Sequence, residues 1–299
     1  KQGSKIMKKF ITLLTISFIW AADGPKIYIS SDMEGVVGAV TGEQMGPSGF
    51  EYHQFREFMT AEVNAAIEGA RSAGAGEILV ADSHGNGQNL LIDKLPKDVK
   101  IVRSWPRPLD MVGGLDDSFD GVIFLGYHAS SDNLTGVRAH TFSSGRLTSV
   151  KLNGTPVTEG AWNAAIAGEL GVPVIMVSGD DAAVEEVTSL VGNVEGAVVK
   201  WALSLHSAKT LQPEAAYDLI REKAAKAVKN IKKYKPYRVK NPATVDLGFK
   251  NYSPVELLSY LSLFERTGSH TIRFSAKTME EASQIITFVL MYSGGNSTP

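Results

Sequence analysis

Between residues 26 and 178 the chain repeats one alternation, a short run of continuous apolar residues followed by a longer amphipathic stretch. The runs are 26–31, 77–82, 99–103, 121–127 and 172–178, and most are rich in Val and Ile with no regular polar alternation. A strand with one wet face alternates apolar and polar residues, whereas a continuous run belongs in a sheet covered on both sides. The intervening stretches 51–73, 158–170 and 181–191 have helical spacing. The pattern predicts an α/β fold with three layers, a mainly parallel sheet between helices. Asn153-Gly154 interrupts it: that pair favours a tight type I′ turn, so 147–152 and 156–157 read as a hairpin just before the helix at 158.

After about residue 202 the character changes. Pro213 opens a long Ala/Lys helix to about 234, and strands at 244–249 and 271–276 then alternate with helices at 254–261 and 278–292. This predicts a smaller C-terminal α+β unit and a division into 26–202 and 203–299. Residues 1–25 look like a leader: Met7-Lys8-Lys9, an apolar run over 10–20, then Ala21-Ala22. That order is expected of a secretory signal, hence of an exported, periplasmic or extracellular protein, with a cytoplasmic one as the alternative. The run is too short to span a bilayer comfortably, so no membrane span is expected in the mature chain.

Ligands of parallel sheets bind beyond the carboxyl ends of the strands. The first run ends in Asp32-Met33-Glu34-Gly35, the second in Asp82-Ser83-His84-Gly85, and the fourth in Gly126-Tyr127-His128. In an extended chain Asp32 and Glu34 lie side by side and repel, unless a cation or a shared proton relieves them. Two of the six histidines stand at equivalent strand ends, so Asp32, Glu34, His84 and His128 together predict a metal site. The chain has no cysteine, which confines the ligands to His, Asp and Glu and excludes thiolate chemistry.

Other residues are less constrained. Glu159 opens a helix, where a carboxylate serves equally as a ligand or as a favourable charge at the helix N-terminus. His140 could be a ligand, a general acid or base, or a donor to a developing oxyanion. Asp180 closes a strand and would cap the next helix; it and Ser83 could also support the ligands from behind. His53, His206 and His270 fall outside any cluster. A net charge of −2 gives no polyanion-binding surface, so nucleic acid is not an expected partner.

The segments "SDMEG", "DSHG", "LGYHA", "GVRAHT", "LNGTPVTEGAWNAA" and "GVPVIMVSGDD", in this order, resemble the zinc-dependent D-aminopeptidase family of the dipeptide-transport-operon (DppA) type. The likeness is strong from about 26 to 199 and weaker beyond. It implies a dinuclear zinc site, with manganese or cobalt able to substitute. Asp32 would be shared between the metals, Glu34, His84, His128 and Glu159 would complete the ligands, and His140 would be the catalytic histidine. It also implies a homo-oligomer, a decamer of stacked pentameric rings, that releases N-terminal D-amino acids such as D-Ala from short peptides. The same residues admit two rival readings. One is a dinuclear phosphoesterase, for which Arg103, Arg107 and Arg138 are the nearby cations; the other is an exported, non-catalytic protein that binds peptides or metal.

Overall fold

A computed structural model describes residues 24–292; the apolar leader-like run lies outside them. The chain opens with β1 (Ile27–Ser31), α1 (Tyr52–Ser72), β2 (Ile78–Asp82), β3 (Lys100–Val102) and β4 (Gly121–Tyr127). The hairpin follows as β5 (Leu147–Leu152) and β6 (Thr155–Pro156), then α2 (Glu159–Glu169), β7 (Val174–Asp180), α3 (Asp181–Val191), β8 (Glu195–Ser204), β9 (Ser207–Thr210) and α4 (Pro213–Lys229). It closes with β10 (Ala243–Phe249), α5 (Tyr252–Leu258), β11 (Glu265–Arg266), β12 (Thr271–Ala276) and α6 (Met279–Met291).

The large sheet has seven strands in the order β3-β2-β1-β4-β7-β8-β9, and only the β8–β9 pair is antiparallel. The mainly parallel α/β fold expected from the continuous apolar runs is therefore present. Successive strand residues serve two different cores: Ile27 and Ile29 pack with α1 and α4, whereas Tyr28 packs with α2 on the opposite face. Ile123 and Leu125 against Val122 and Phe124 repeat the division on β4. Burial on both faces is why these strands carry no polar alternation.

Local signals set the element ends. Helix α1 stops before Gly74, whose φ of +96° turns the chain out of the helix, and α4 starts with Pro213 at its first position. Asn153 and Gly154 take φ values of +51° and +84°, as a type I′ turn requires.

The second sheet runs β11-β12-β10-β5-β6 and is antiparallel. The two sheets interleave along the chain: the hairpin joins the second sheet through β5 and β10, while β9 extends the first. The boundary expected at residue 202 thus falls inside β8. Strand β8 escapes a reading by apolar pattern because Lys200, a charged residue that is fully buried, stands in its middle. Among the described residues no helix is long and apolar enough to cross a membrane.

Topology also locates the site. From β1 the chain proceeds to β2 and β3 on one side, and β4 opens the other side. The crevice beyond the carboxyl ends of β1 and β4 is the place where sheets of this order bind ligands.

Candidate active site and metal centre

The turn after β1 is pressed against the end of β4. The Gly35 N–H donates to the Gly126 carbonyl at 2.6 Å, and a Cβ on Gly35 would stand 2.1 Å from the Tyr127 carbonyl oxygen. Only glycine permits that approach. It is also what carries Asp32 and Glu34 up to His128. From below, the Lys200 ammonium donates to the carbonyl oxygens of Glu34, Val36 and Ala39, gathering the turn around one buried cation.

His84 is set by a loop that Asp82 builds. Its carboxylate accepts from the Asn89 and Leu90 N–H groups at 2.5 and 2.7 Å, and the Asn89 side chain donates to the His84 carbonyl at 2.6 Å. Glu159 is the first residue of α2, capped by Thr158, whose hydroxyl oxygen accepts from the Ala161 N–H at 2.8 Å. His140 sits on a loop tied down by Asp180. One Asp180 oxygen accepts from Val137 N–H at 2.6 Å while the other accepts from Ala183 N–H at 3.0 Å and caps α3. Ser83 donates to the Met111 carbonyl at 2.8 Å and so holds the neighbouring turn rather than a member of the cluster.

Six predicted residues meet in one place. His84 Nδ1 lies 3.2 Å from Asp32 Oδ1 and 2.7 Å from Glu34 Oε2. His128 Nε2 lies 3.4 Å from Asp32 Oδ2 and 3.2 Å from Glu159 Oε2. His140 Nε2 stands further off, 3.9 Å from Glu159 Oε1, an oxygen that accepts from Phe142 N–H at 2.6 Å. Asp32 is thus the one carboxylate that faces both His84 and His128. His53, His206 and His270 are exposed and take no part.

All three imidazoles are oriented in the same way. His84 Nε2 contacts the Met45 carbonyl at 2.7 Å, His128 Nδ1 the Ala129 carbonyl at 3.0 Å, and His140 Nδ1 the Arg138 carbonyl at 2.8 Å. A carbonyl only accepts, so each of these nitrogens carries hydrogen, and the nitrogen facing the carboxylates is the one that offers a lone pair once any proton on it is displaced. Backbone carbonyls orient metal-ligating histidines in this fashion.

The electrostatics point the same way. Asp32 Oδ2, Glu34 Oε2 and His128 Nε2 are buried and meet only the imidazoles and carboxylates of the cluster itself, an arrangement that costs stability unless protons or a cation offset the crowded charge. Burial, with the Glu34 charge beside it, pushes the Asp32 carboxyl up. Burial also opposes charge on Glu34 and Glu159, but the His84 and His128 imidazoliums outweigh it and hold both below the usual carboxylate range. In return His84 and His128 are raised against their own burial, chiefly by Glu34 and Glu159 respectively. Burial and the His128 charge lower His140. Protonated imidazoles here neutralise carboxylates, which is the part that a divalent cation takes when it displaces those protons. The donor set, His nitrogen and carboxylate oxygen without sulfur, fits zinc and its neighbours. Two overlapping sets of donor atoms are close enough to share an ion, Asp32, Glu34 and His128 in one and His128, His140 and Glu159 in the other.

The cluster forms the floor of a cavity of about 290 Å³. Trp105, Met111 and Phe142 line its sides, and Ile286 and Leu290 of α6 form part of its wall. No Lys or Arg lines it among the described residues. These wall residues, and Asp110 beside them, escaped the sequence reading. They lie in a loop with no regular period and on a helix far along the chain, and no local signal marks them.

A parallel α/β sheet with a buried His/carboxylate cluster at its switch point defines a metal-dependent hydrolase by its chemistry. The profile of the Peptidase M55 family, described as D-aminopeptidase, matches residues 26–288, and the chain belongs to that family. A D-aminopeptidase of Bacillus subtilis (strain 168) is 38% identical over 260 residues, covering 87% of this chain and 94% of that protein. Among solved structures, the Zn-dependent D-aminopeptidase DppA from Bacillus subtilis, described as a self-compartmentalizing protease, superposes with a TM-score of 0.86 at 36% identity. That match covers 92% of this chain and all of the other.

Proposed function

We propose that this enzyme is a zinc-dependent D-aminopeptidase with a dinuclear site, releasing residues such as D-Ala from the amino end of short peptides. The observation that carries the reading is the position of Asp32, whose two oxygens face His84 and His128 separately. Asp32 would be shared between the two ions, and Glu34, His84, His128 and Glu159 would complete the ligands. Paired divalent ions supply Lewis acidity and an activated water at neutral pH. The chain's own residues do the rest. The cavity walls offer apolar surface to the substrate, Phe142 N–H keeps Glu159 oriented, and His140, the member furthest from the cluster, carries a proton to the leaving amine or donates to the developing oxyanion.

The phosphoesterase reading loses its cations. Arg107 donates to the Ser104 and Asp82 carbonyls, the Arg138 guanidinium lies near His206, and neither of them nor Arg103 lines the cavity. Manganese or cobalt could replace zinc with the same ligands. Self-association into a chambered homo-oligomer belongs to the proposal, supported by large apolar side chains left on the surface, Phe50 and Leu134 among them. So does export, for which the pattern at residues 7–22 is the support.

The test is hydrolysis of D-Ala-D-Ala and L-Ala-L-Ala by the purified protein, with metal counted per chain before and after chelation. Cleavage of the D-peptide alone, lost on chelation and restored by zinc, is expected. Bound metal with cleavage of neither peptide would reject the substrate assignment.

A further inference from the structure

One carboxylate in the cavity takes no part in the cluster. Asp110 lines the cavity beside Met111, and its side chain makes no hydrogen bond or ion pair among the described residues. Its backbone has a φ of +51°, a left-handed conformation that Asp tolerates better than most residues. The turn is firmly held. The Met111 carbonyl accepts from the Ser30 and Ser83 hydroxyls at 3.0 and 2.8 Å, and the Gly113 carbonyl accepts from the Tyr28 hydroxyl at 2.7 Å. The fold therefore presents this carboxylate on a rigid support.

Among the described residues no Lys, Arg or His forms an ion pair with it, though the Arg107 charge is felt there. Arg107 is not paired with it: Nε and Nη2 donate to backbone carbonyls, Nη1 is buried without a hydrogen-bond partner, and the guanidinium is stacked 4.0 Å over the Trp105 ring. Burial, and then the charge of Glu159, push the Asp110 carboxyl up to about 7, a cost that a bound cation removes. A partly buried, unpaired carboxylate in a cavity without Lys or Arg is suited to receive a cation from the ligand.

The peptide reading says which cation that is. A free amino terminus is an ammonium with three donors, of the same kind as a lysine head group. Resting on the proposed peptidase activity, we propose that Asp110 binds the α-ammonium of the substrate's first residue, and so restricts the enzyme to the free amino end. With the ammonium at Asp110 and the scissile carbonyl at the His/carboxylate cluster, two substituents of the first Cα are fixed. The side chains of D and L residues then point toward different walls, so Asp110 also sets the frame for choosing between them.

The test compares wild type with Asp110→Asn, which keeps the shape and tolerates the left-handed backbone but removes the charge. Asp110→Gly, which relieves the backbone altogether, guards against a folding defect. Zinc-loaded proteins are titrated calorimetrically with D-alaninamide and N-acetyl-D-alaninamide, and hydrolysis of D-Ala-D-Ala is measured in parallel. Wild type should bind the free amine and reject the acetylated one. Both variants should bind the amine about 10- to 100-fold more weakly, with metal content unchanged and kcat/KM falling mainly through KM. Equal binding of the amine by wild type and variants, or by none of them, overturns the assignment. Loss of amine binding in the variants of a protein that cleaves no peptide would keep the ammonium site and reject the peptidase reading. Normal cleavage by Asp110→Asn would do the reverse.

Discussion

The imidazole of His140 lies flat against that of His128, with ring centres 4.0 Å apart and planes inclined by only 6°. Two charged rings do not stack at that distance without cost, so the pair favours one proton rather than two. Burial and the His128 charge keep His140 low, while Glu159 and Asp32 hold His128 high. The outer ring is therefore the neutral one, with Nε2 free to accept a proton near the cluster.

The proposed role of His140 is proton transfer, although its Nε2 also belongs to a donor set with His128 and Glu159, so metal content separates the two roles. His140→Ala should keep its metal, counted by atomic absorption, while kcat falls by about 10²- to 10⁴-fold, the usual worth of a positioned acid or base. Loss of metal in this variant would make His140 a ligand instead.

Asp32 and Glu34 are both carboxylates on the same turn, but they face different partners. Asp32 pairs with His84 and His128, whereas Glu34 pairs with His84 alone. If the proposed pair of ions shares Asp32, Asp32→Asn should empty both positions, and Glu34→Gln should lower the content to about one ion per chain. Thermal unfolding should follow metal content, because an ion that binds only the native state stabilises it. Equal loss in the two variants would overturn the proposed sharing of Asp32 between two ions.

Glu62 offers a pH prediction away from the ligands. It is buried on α1, accepts from Val37 N–H at 2.9 Å, and burial pushes its carboxyl from 4.5 up to about 7. Its folded value lies above its unfolded value, so the native state binds the extra proton. The stability this group contributes is full below about pH 4.5 and is lost as pH rises through about 7. Glu62→Gln should flatten the fall in stability over that window, as measured by urea unfolding of the chelated protein at pH 5 and pH 8. An unchanged difference between the two pH values would sink the assignment.

Much of the site was legible because its evidence is local. Asp32, Glu34, His84 and His128 stand directly after apolar runs, and the carboxyl ends of parallel strands share one edge whatever their order. His140 and Glu159 were not legible by the same reasoning. Each sits after a loop or hairpin whose path no period describes, and only the family resemblance singled them out. Strand β8 was hidden by Lys200, whose burial makes sense only once the carbonyls of Glu34, Val36 and Ala39 are seen around it.

By itself the sequence determined the inventory of chemistry, the three layers and the strand ends, since burial period and turn preference act over a few residues. Only the tertiary structure decided that β1 and β4 would be neighbours, that Asp32 would face two histidines, and that α6 would wall the cavity. It alone also left the Asp110 side chain without a hydrogen bond or ion pair among the described residues. Such relations join distant residues, as Trp162 of α2 joins Ser283 of α6 across 121 positions at 3.1 Å. The packing of whole layers settles them, and no local pattern in the chain records it.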